Sequence, residues 1–284
     1  MSGANAIGRF AQFIRFSHTI FALPFALGSM LVAARGWPSL RILGLILLCM
    51  IFARTTAMLF NRIVDWNYDI ENTRTSGRHL LMNKSAAVMV CIISALFFLI
   101  SAFLINPLCA ILSPVALIVV CFYSLTKRFT HLAQFYLGLA LSIAPVGAWL
   151  AVTGSFAWPP LILAAGVLLW VAGFDTIYAT QDYEFDRATK LHSLVIRLGI
   201  PRSLQVAIAL HFFAFICFML FGYVAQLGLP YYAGLLVMLI SFICEHRVAR
   251  QASIDAINKA FFTSNAIVSF VFVISVAFSV FFGL

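Results

Sequence analysis

Charge is what this sequence has least of. Aspartate, glutamate, lysine and arginine make up 10% of it, against about 25% in soluble domains. With 63% hydrophobic residues, the chain cannot both bury a core and cover itself for water. A mean hydropathy of +1.05 makes lipid its expected solvent. Paired C-x-x-C cysteines are also missing. Cys49, Cys91, Cys109, Cys121, Cys217 and Cys244 all lie in or beside apolar runs, so neither a zinc site nor a disulfide framework is implied, and they are read as small buried hydrophobes. No short apolar segment with a small-residue cleavage site opens the chain, so no removable signal peptide is expected and the first apolar stretch is read as a retained span. The formal charge of +9 would ordinarily raise nucleic-acid binding. Here the bases sit in short loops between apolar runs, the distribution that the positive-inside rule produces, and no nucleic-acid partner is expected.

What is present is a series of nine apolar runs, each near the ~20 residues that cross a bilayer as helix. Their cores are Phe16–Ala34, Ile42–Phe60, Ala86–Ile105, Leu108–Tyr123, Leu132–Val152, Leu161–Phe174, Leu204–Val224, Tyr231–Cys244 and Ala260–Leu284. Gly36-Trp37-Pro38, Asn106-Pro107, Trp158-Pro159-Pro160 and Gly228-Leu229-Pro230 mark turns between several of them. The fold class expected is an all-α integral membrane protein: a nine-helix transmembrane bundle, one domain over residues 1–284, with a polar cavity facing the cytoplasm. With the N-terminus in the cytoplasm, nearly all lysines and arginines fall on that side and only Arg35 and Arg41 on the other, while Arg54 lies within span two. That asymmetry sets the expected orientation in the inner (plasma) membrane. All nine acids fall on the same cytoplasmic half. The positive-inside rule does not ask for this, so that face needs negative charge for another reason.

The acids are patterned. Asn61, Asp65 and Asp69 are spaced i, i+4, i+8 at the end of span two, which on a helix lines three oxygen-bearing side chains along one face. Tyr178, Asp182 and Asp186 repeat the spacing after span six, with Asp175 seven before Asp182. Neighbouring carboxylates repel, and a bound divalent ion relieves the repulsion. Carboxylate and amide oxygens are the ligands a hard ion such as Mg²⁺ accepts, and Mg²⁺ completes its shell with substrate phosphates. A diphosphate also wants Lys and Arg; Arg62, Arg74, Arg78, Lys127, Arg128 and Lys190 are the candidates, with Tyr123 four residues before Lys127. Each motif is followed by a basic stretch, the pattern of two related helical units facing each other. A single aspartate pair would pass as a solvated helix end; two pairs in a chain with nine acids read as a site, because ionisable groups at a bundle's membrane boundary are functional by default. His18 and His211, within apolar runs, read as satisfied interior histidines.

At these residues the chain resembles the UbiA family of intramembrane aromatic prenyltransferases. The family pattern Asn-x-x-x-Asp-x-x-x-Asp then Arg-Thr is matched by Asn61, Asp65, Asp69 and Arg74-Thr75. The second pattern is matched by Asp175, Tyr178, Asp182 and Asp186, then Lys190-Leu191-His192-Ser193; the family's Tyr-x-x-x-Lys is matched by Tyr123 and Lys127. Lys127-Arg128-Phe129-Thr130-His131 resembles a stretch of 4-hydroxybenzoate polyprenyltransferases, and Arg15 through Pro24 has the family look. Arg62 stands where many members carry a third acid, His79 where proline is common and Leu191 where glycine is frequent. The Asn-Arg variant resembles a branch linked to menaquinone made through futalosine.

The resemblance implies an enzyme with Mg²⁺ as cofactor, held by Asp65, Asp69, Asp182, Asp186 and Asn61, with Asp175 helping. Lys127, Arg128, Arg74 and Lys190 would absorb charge as diphosphate leaves. The implied reaction moves a polyprenyl group from a polyprenyl diphosphate to an aromatic hydroxy acid of the 4-hydroxybenzoate type in respiratory quinone biosynthesis, or to a dihydroxynaphthoate. Arg54 would contact the acceptor's carboxylate or pair structurally. The partners implied are these two substrates and the bilayer, with no obligate protein partner. A secondary transporter using the intramembrane carboxylates is the rival class, but transporters place such groups near the midplane on broken helices.

Overall fold

The computed structural model describes Gly8, Phe13, residues 21–71, Thr75, Gly77, residues 80–250 and residues 254–283, the last segment with side chains from Phe261 onward. Among the described residues the chain is helical, with no strand. In chain order the helices are α1 (Leu23–Ala34), α2 (Leu40–Val64), α3 (Trp66–Glu71), α4 (Lys84–Ile105), α5 (Pro107–Phe122), α6 (Ala133–Thr153), α7 (Trp158–Ala179), α8 (Tyr183–Ala188), α9 (Leu194–Leu198), α10 (Ile200–Val224), α11 (Leu229–Ala249) and α12 (Ile254–Phe282). Eight of the described helices are long and apolar enough to cross a membrane. The remaining expected span, Phe16–Ala34, falls on α1, which is 12 residues long and shorter than a crossing helix; the start of that run lies outside the described residues.

Polar caps and prolines set the helix ends. Asn83 Oδ1 accepts from Ala86 N at 2.7 Å to open α4. Asn106 Oδ1 accepts from Cys109 N at 2.8 Å to open α5, while its Nδ2 donates to Leu150 O on α6 at 2.8 Å. Side-chain caps of this kind are worth about 1 kcal/mol each. Proline occupies the first turn of α5, α7, α10 and α11, where a missing N–H costs nothing.

α7 lies at the centre and is the most buried of the spans. α6 and α10 pack along it, α1 packs on α6, α12 joins α11 to α1, and α4 covers α2. Small residues permit the close approaches. A Cβ at Gly138 would strike the backbone carbonyl of Leu168, and Gly166 and Gly173 leave room for the rings of Phe218 and His211. The core is aromatic: Phe25 stacks on Phe272 with centroids 4.5 Å apart and meets buried Trp170 at 5.0 Å. His211 is satisfied inside this packing, through His246 Nε2 at 3.0 Å and Trp170 O at 3.2 Å. All six cysteines are free thiols; Cys244 is exposed on the bundle's outer face and the others are buried or half-buried.

Candidate active site

Both carboxylate motifs sit where a helix breaks. The regular spacing predicts one continuous helix face, but α2 ends at Val64 and Asp65 takes φ −90°, ψ 14° before α3 begins. The second motif does the same. α7 tightens into a 3₁₀ turn over Thr180–Asp182, and Asp182 takes φ −96°, ψ 7° before α8. The hydrogen-bond ladder survives the first break, with Asp65 N donating to Asn61 O at 2.9 Å and Asp69 N to Asp65 O at 2.7 Å. The four-residue alignment is therefore kept approximately at the first break. Two breaks of the same form at corresponding aspartates support the reading of two related units.

At the first motif Asn61 Nδ2 donates to Asp65 Oδ2 at 3.0 Å. Arg128 Nη2 reaches Asp65 Oδ1 at 3.3 Å and donates to Val64 O at 2.8 Å, and its guanidinium lies 5.5 Å from the centre of the Tyr68 ring. Burial pushes the Asp65 carboxyl above its usual range, and the Arg128 hydrogen bond opposes this without cancelling it. Arg62 Nη1 pairs with Asp69 Oδ2 at 3.2 Å, donates to Asn61 Oδ1 at 3.4 Å, and is anchored behind by Nε donating to Phe13 O at 3.4 Å. The pair is buried, with side-chain exposures of 5% for Arg62 and 15% for Asp69. Asn61 thus turns its amide oxygen to Arg62 and its N–H groups to Asp65, where the sequence has that oxygen facing a metal.

At the second motif Lys127 Nζ pairs with buried Asp186 Oδ2 at 3.3 Å, and Asp182 and Asp175 lie within electrostatic reach of the same ammonium. The loops carrying these groups are stapled together. His192 N donates to Lys127 O at 2.6 Å, Leu194 N to Gln134 Oε1 at 3.3 Å, and the rings of His131 and His192 meet edge to face at 4.8 Å. Gln134, fully buried, is a loop-positioning contact that the sequence reading missed. Its signal was an amide in the first turn of an otherwise apolar helix. Phe13 acts through its backbone carbonyl, which no side-chain pattern can reveal.

Two cavities meet at this point. A polar one of about 280 Å³ is lined by Asn61, Arg62, Asp65, Asp69, Tyr123, Lys127, Arg128, Asp175, Tyr178, Asp182 and Asp186, among others. An apolar one of about 370 Å³ runs from there between α2, α4, α5 and α6 to Phe156, on the opposite side of the bundle. Arg54, Tyr123, Leu137 and Leu141 line both. Lys190 departs from expectation: it is exposed, takes a left-handed φ of 55°, and its neighbour Leu191 lines the cavity in its place. Arg74 and Arg78 lie outside the described residues.

The donors around the polar cavity are all oxygens, the chemistry of a hard divalent ion. Among the described residues, no three His, Cys, Asp or Glu side chains stand together as a ready cage. Carboxylate oxygens are ligands that Mg²⁺ accepts, with waters and phosphate oxygens completing its shell.

Comparison with known proteins agrees with this geometry. The description "UbiA prenyltransferase family" matches residues 22–267. A 4-hydroxybenzoate octaprenyltransferase from Nitrosospira multiformis is 32% identical over 82% of this chain and 81% of its own. One from Vibrio atlanticus is 30% identical over 92% of this chain and 93% of its own. Among solved structures, the apo UbiA homolog from Aeropyrum pernix superposes with a TM-score of 0.83 at 28% identity, covering 91% of this chain and 96% of that one. The UbiA homolog from Archaeoglobus fulgidus bound to DMAPP and Mg²⁺ has the same fold, with a TM-score of 0.73 at 19% identity over 97% of this chain and 100% of that one.

Proposed function

The chain belongs to the UbiA prenyltransferase family, and on that premise we propose that it transfers a polyprenyl group from a polyprenyl diphosphate to 4-hydroxybenzoate in ubiquinone biosynthesis. The observation that carries the reading is the junction of a polar, carboxylate- and cation-lined cavity with an apolar one. An amphiphile with a diphosphate head and an isoprenoid tail has this division of surface. The curated relatives, named for 4-hydroxybenzoate, support that acceptor over a dihydroxynaphthoate. Two acid-rich helix breaks at one end of the bundle favour an enzyme over a transporter with a site at the midplane.

Asp65, Asp69, Asp182 and Asp186 would hold Mg²⁺. When bound, the ion supplies charge neutralisation that makes diphosphate a better leaving group. Lys127 and Arg128 line the head cavity and stabilise the negative charge that grows on the departing diphosphate. Arg54 stands where the two cavities meet, placed to orient the acceptor's carboxylate so that a ring carbon ortho to the hydroxyl faces the allylic carbon. The apolar walls keep water from the allylic cation, which water would quench. The product leaves toward the bilayer, with the acidic and basic loops on the cytoplasmic side.

The test is reconstitution in liposomes with an octaprenyl or shorter donor and a panel of acceptors including 4-hydroxybenzoate and a dihydroxynaphthoate. Transfer to 4-hydroxybenzoate should require Mg²⁺, cease with EDTA, and vanish in Asp182→Ala while the protein keeps its gel-filtration profile. Full transfer by that variant, or transfer to the dihydroxynaphthoate alone, overturns the reading.

A further inference from the structure

Away from the two cavities, one acid is left without a role. Glu245 on α11 is 1% exposed, and neither of its carboxyl oxygens has a hydrogen-bond partner among the described residues. The helices chiefly packed on α11 are α10 and α12, and both bring it polar groups that withhold their hydrogens. From α10, His211 Nδ1 stands 3.9 Å from Glu245 Oε2, too far for a hydrogen bond. That nitrogen is directed at His246 Nε2 on α11, 3.0 Å away. The other ring nitrogen of His211 carries a hydrogen, because Trp170 O, at 3.2 Å, can only accept. An imidazolium at His211 would therefore aim both N–H groups elsewhere and leave a carboxylate unsatisfied. Arg250 lies within electrostatic reach of His246 at the exposed end of α11. From α12, the side chain of fully buried Asn265 lies within hydrogen-bonding reach of Glu245. Its Nδ2 donates to Phe261 O at 2.8 Å, which fixes the orientation of the amide, and its Oδ1 has no donor. Lys259 and Asp255, earlier on α12, precede Asn265 by about 9 and 15 Å of helix rise. Three buried acceptor oxygens thus lack a hydrogen. An ionised carboxylate among them is costly, and a single hydrogen on the carboxyl relieves it and Asn265 Oδ1 together.

We propose that Glu245 is a proton-binding site: the folded chain holds it as a neutral carboxylic acid whose O–H donates to Asn265 Oδ1 and so latches α11 to α12. The latch leads to the wall of the polar cavity. Asn265 holds the carbonyl of Phe261, whose ring lines that cavity and meets the rings of Phe21, Phe174 and Tyr178 at 5.5, 5.3 and 4.5 Å between centroids. Unfolding hands Glu245 to water, where a glutamate ionises at neutral pH. The folded chain then binds a proton that the unfolded chain releases, so the site's contribution to stability falls as pH rises above the ordinary glutamate range. Glu245, Asn265 and the two histidines line neither cavity, and the site stands apart from the transferase reading.

The experiment is infrared spectroscopy of the full chain in lipid vesicles, with the side-chain carboxyl of glutamate isotopically labelled. The chain has three glutamates, and Glu71 and Glu184 are exposed, so a labelled carboxylic-acid band at neutral pH reports Glu245. The expected result is such a band in the wild type, absent from Glu245→Gln, and moved to higher frequency in Asn265→Leu, where the acid loses its acceptor. Labelled glutamate found wholly as carboxylate at neutral pH overturns the inference, and that measurement needs the wild type alone, whether or not either variant folds. A band that Asn265→Leu leaves unmoved overturns the latch. Thermal unfolding checks the sign: between neutral and alkaline buffer the wild-type transition should fall more steeply than that of Glu245→Gln, whose amide keeps a donor and has no proton to lose. Parallel curves overturn the proposal. No substrate enters these measurements, so they are decided separately from prenyl transfer.

Discussion

Lys127 is the residue on which the most geometry converges. Its ammonium faces Asp186, and its carbonyl receives the His192 N–H that ties the second motif's loop to its own. Lys127→Met keeps the carbonyl and removes the charge, so folding should be preserved and kcat should fall by about 10²–10³, the scale of a lost transition-state donor. Arg54→Leu should act differently. If its guanidinium holds the acceptor's carboxylate, KM for 4-hydroxybenzoate should rise roughly tenfold or more, as losing a charge-assisted hydrogen bond predicts, with KM for the donor unchanged; steady-state kinetics with each substrate varied separates the two. At this scale the sequence was informative about side chains with their own chemistry: every proposed aspartate lines the polar cavity. It misled where charge needs a place as well as a sign. Lys190 has the right chemistry and is turned outward by its left-handed backbone, and Asn61 has its oxygen taken by the adjacent Arg62.

The helices show a different balance. Hydrophobic runs located the spans to within a few residues because lipid demands ~20 apolar residues whatever their neighbours. The breaks at Asp65 and Asp182 were not legible, since neither carries a proline or a glycine and a four-residue repeat reads as unbroken helix. Helix pairing was equally hidden, being decided by small residues whose partners are distant in sequence. Gly138 lies against the Leu168 backbone, which cannot move aside as a side chain would. Gly138→Val should therefore separate α6 from α7 at a cost of about 1–3 kcal/mol, visible as a lower thermal transition by fluorescence-detected gel filtration. Gly147, also on α6, meets nothing within 4 Å and serves as the control: Gly147→Ala should melt with the wild type.

For the whole molecule, the expected layout rests on charge and aromatic placement. The turns between α1 and α2, α6 and α7, and α10 and α11 lie at the end remote from the carboxylates and expose Trp37, Trp158 and Tyr223, the aromatic belt of a membrane interface. Among the described residues the carboxylate end carries most of the bases, with Arg35 and Arg41 at the remote end. In a background whose six cysteines are replaced by serine or alanine, a cysteine introduced at Lys190 should be labelled by an impermeant maleimide only after cells are broken, and one at Trp37 in intact spheroplasts; the reverse pattern would invert the topology.

The chamber shared by Arg54 and Tyr123 also separates two kinds of evolutionary change. On the proposed transfer, whatever lies beyond that threshold would register how long a tail can be, at a distance from the bond that breaks; whatever lies before it would govern which ring is alkylated. A bulky side chain at Gly147, on the wall of the apolar chamber, would shorten the lipid the enzyme accepts without retuning its chemistry. A lineage could thus adopt a new quinone tail by altering residues that never meet the headgroup.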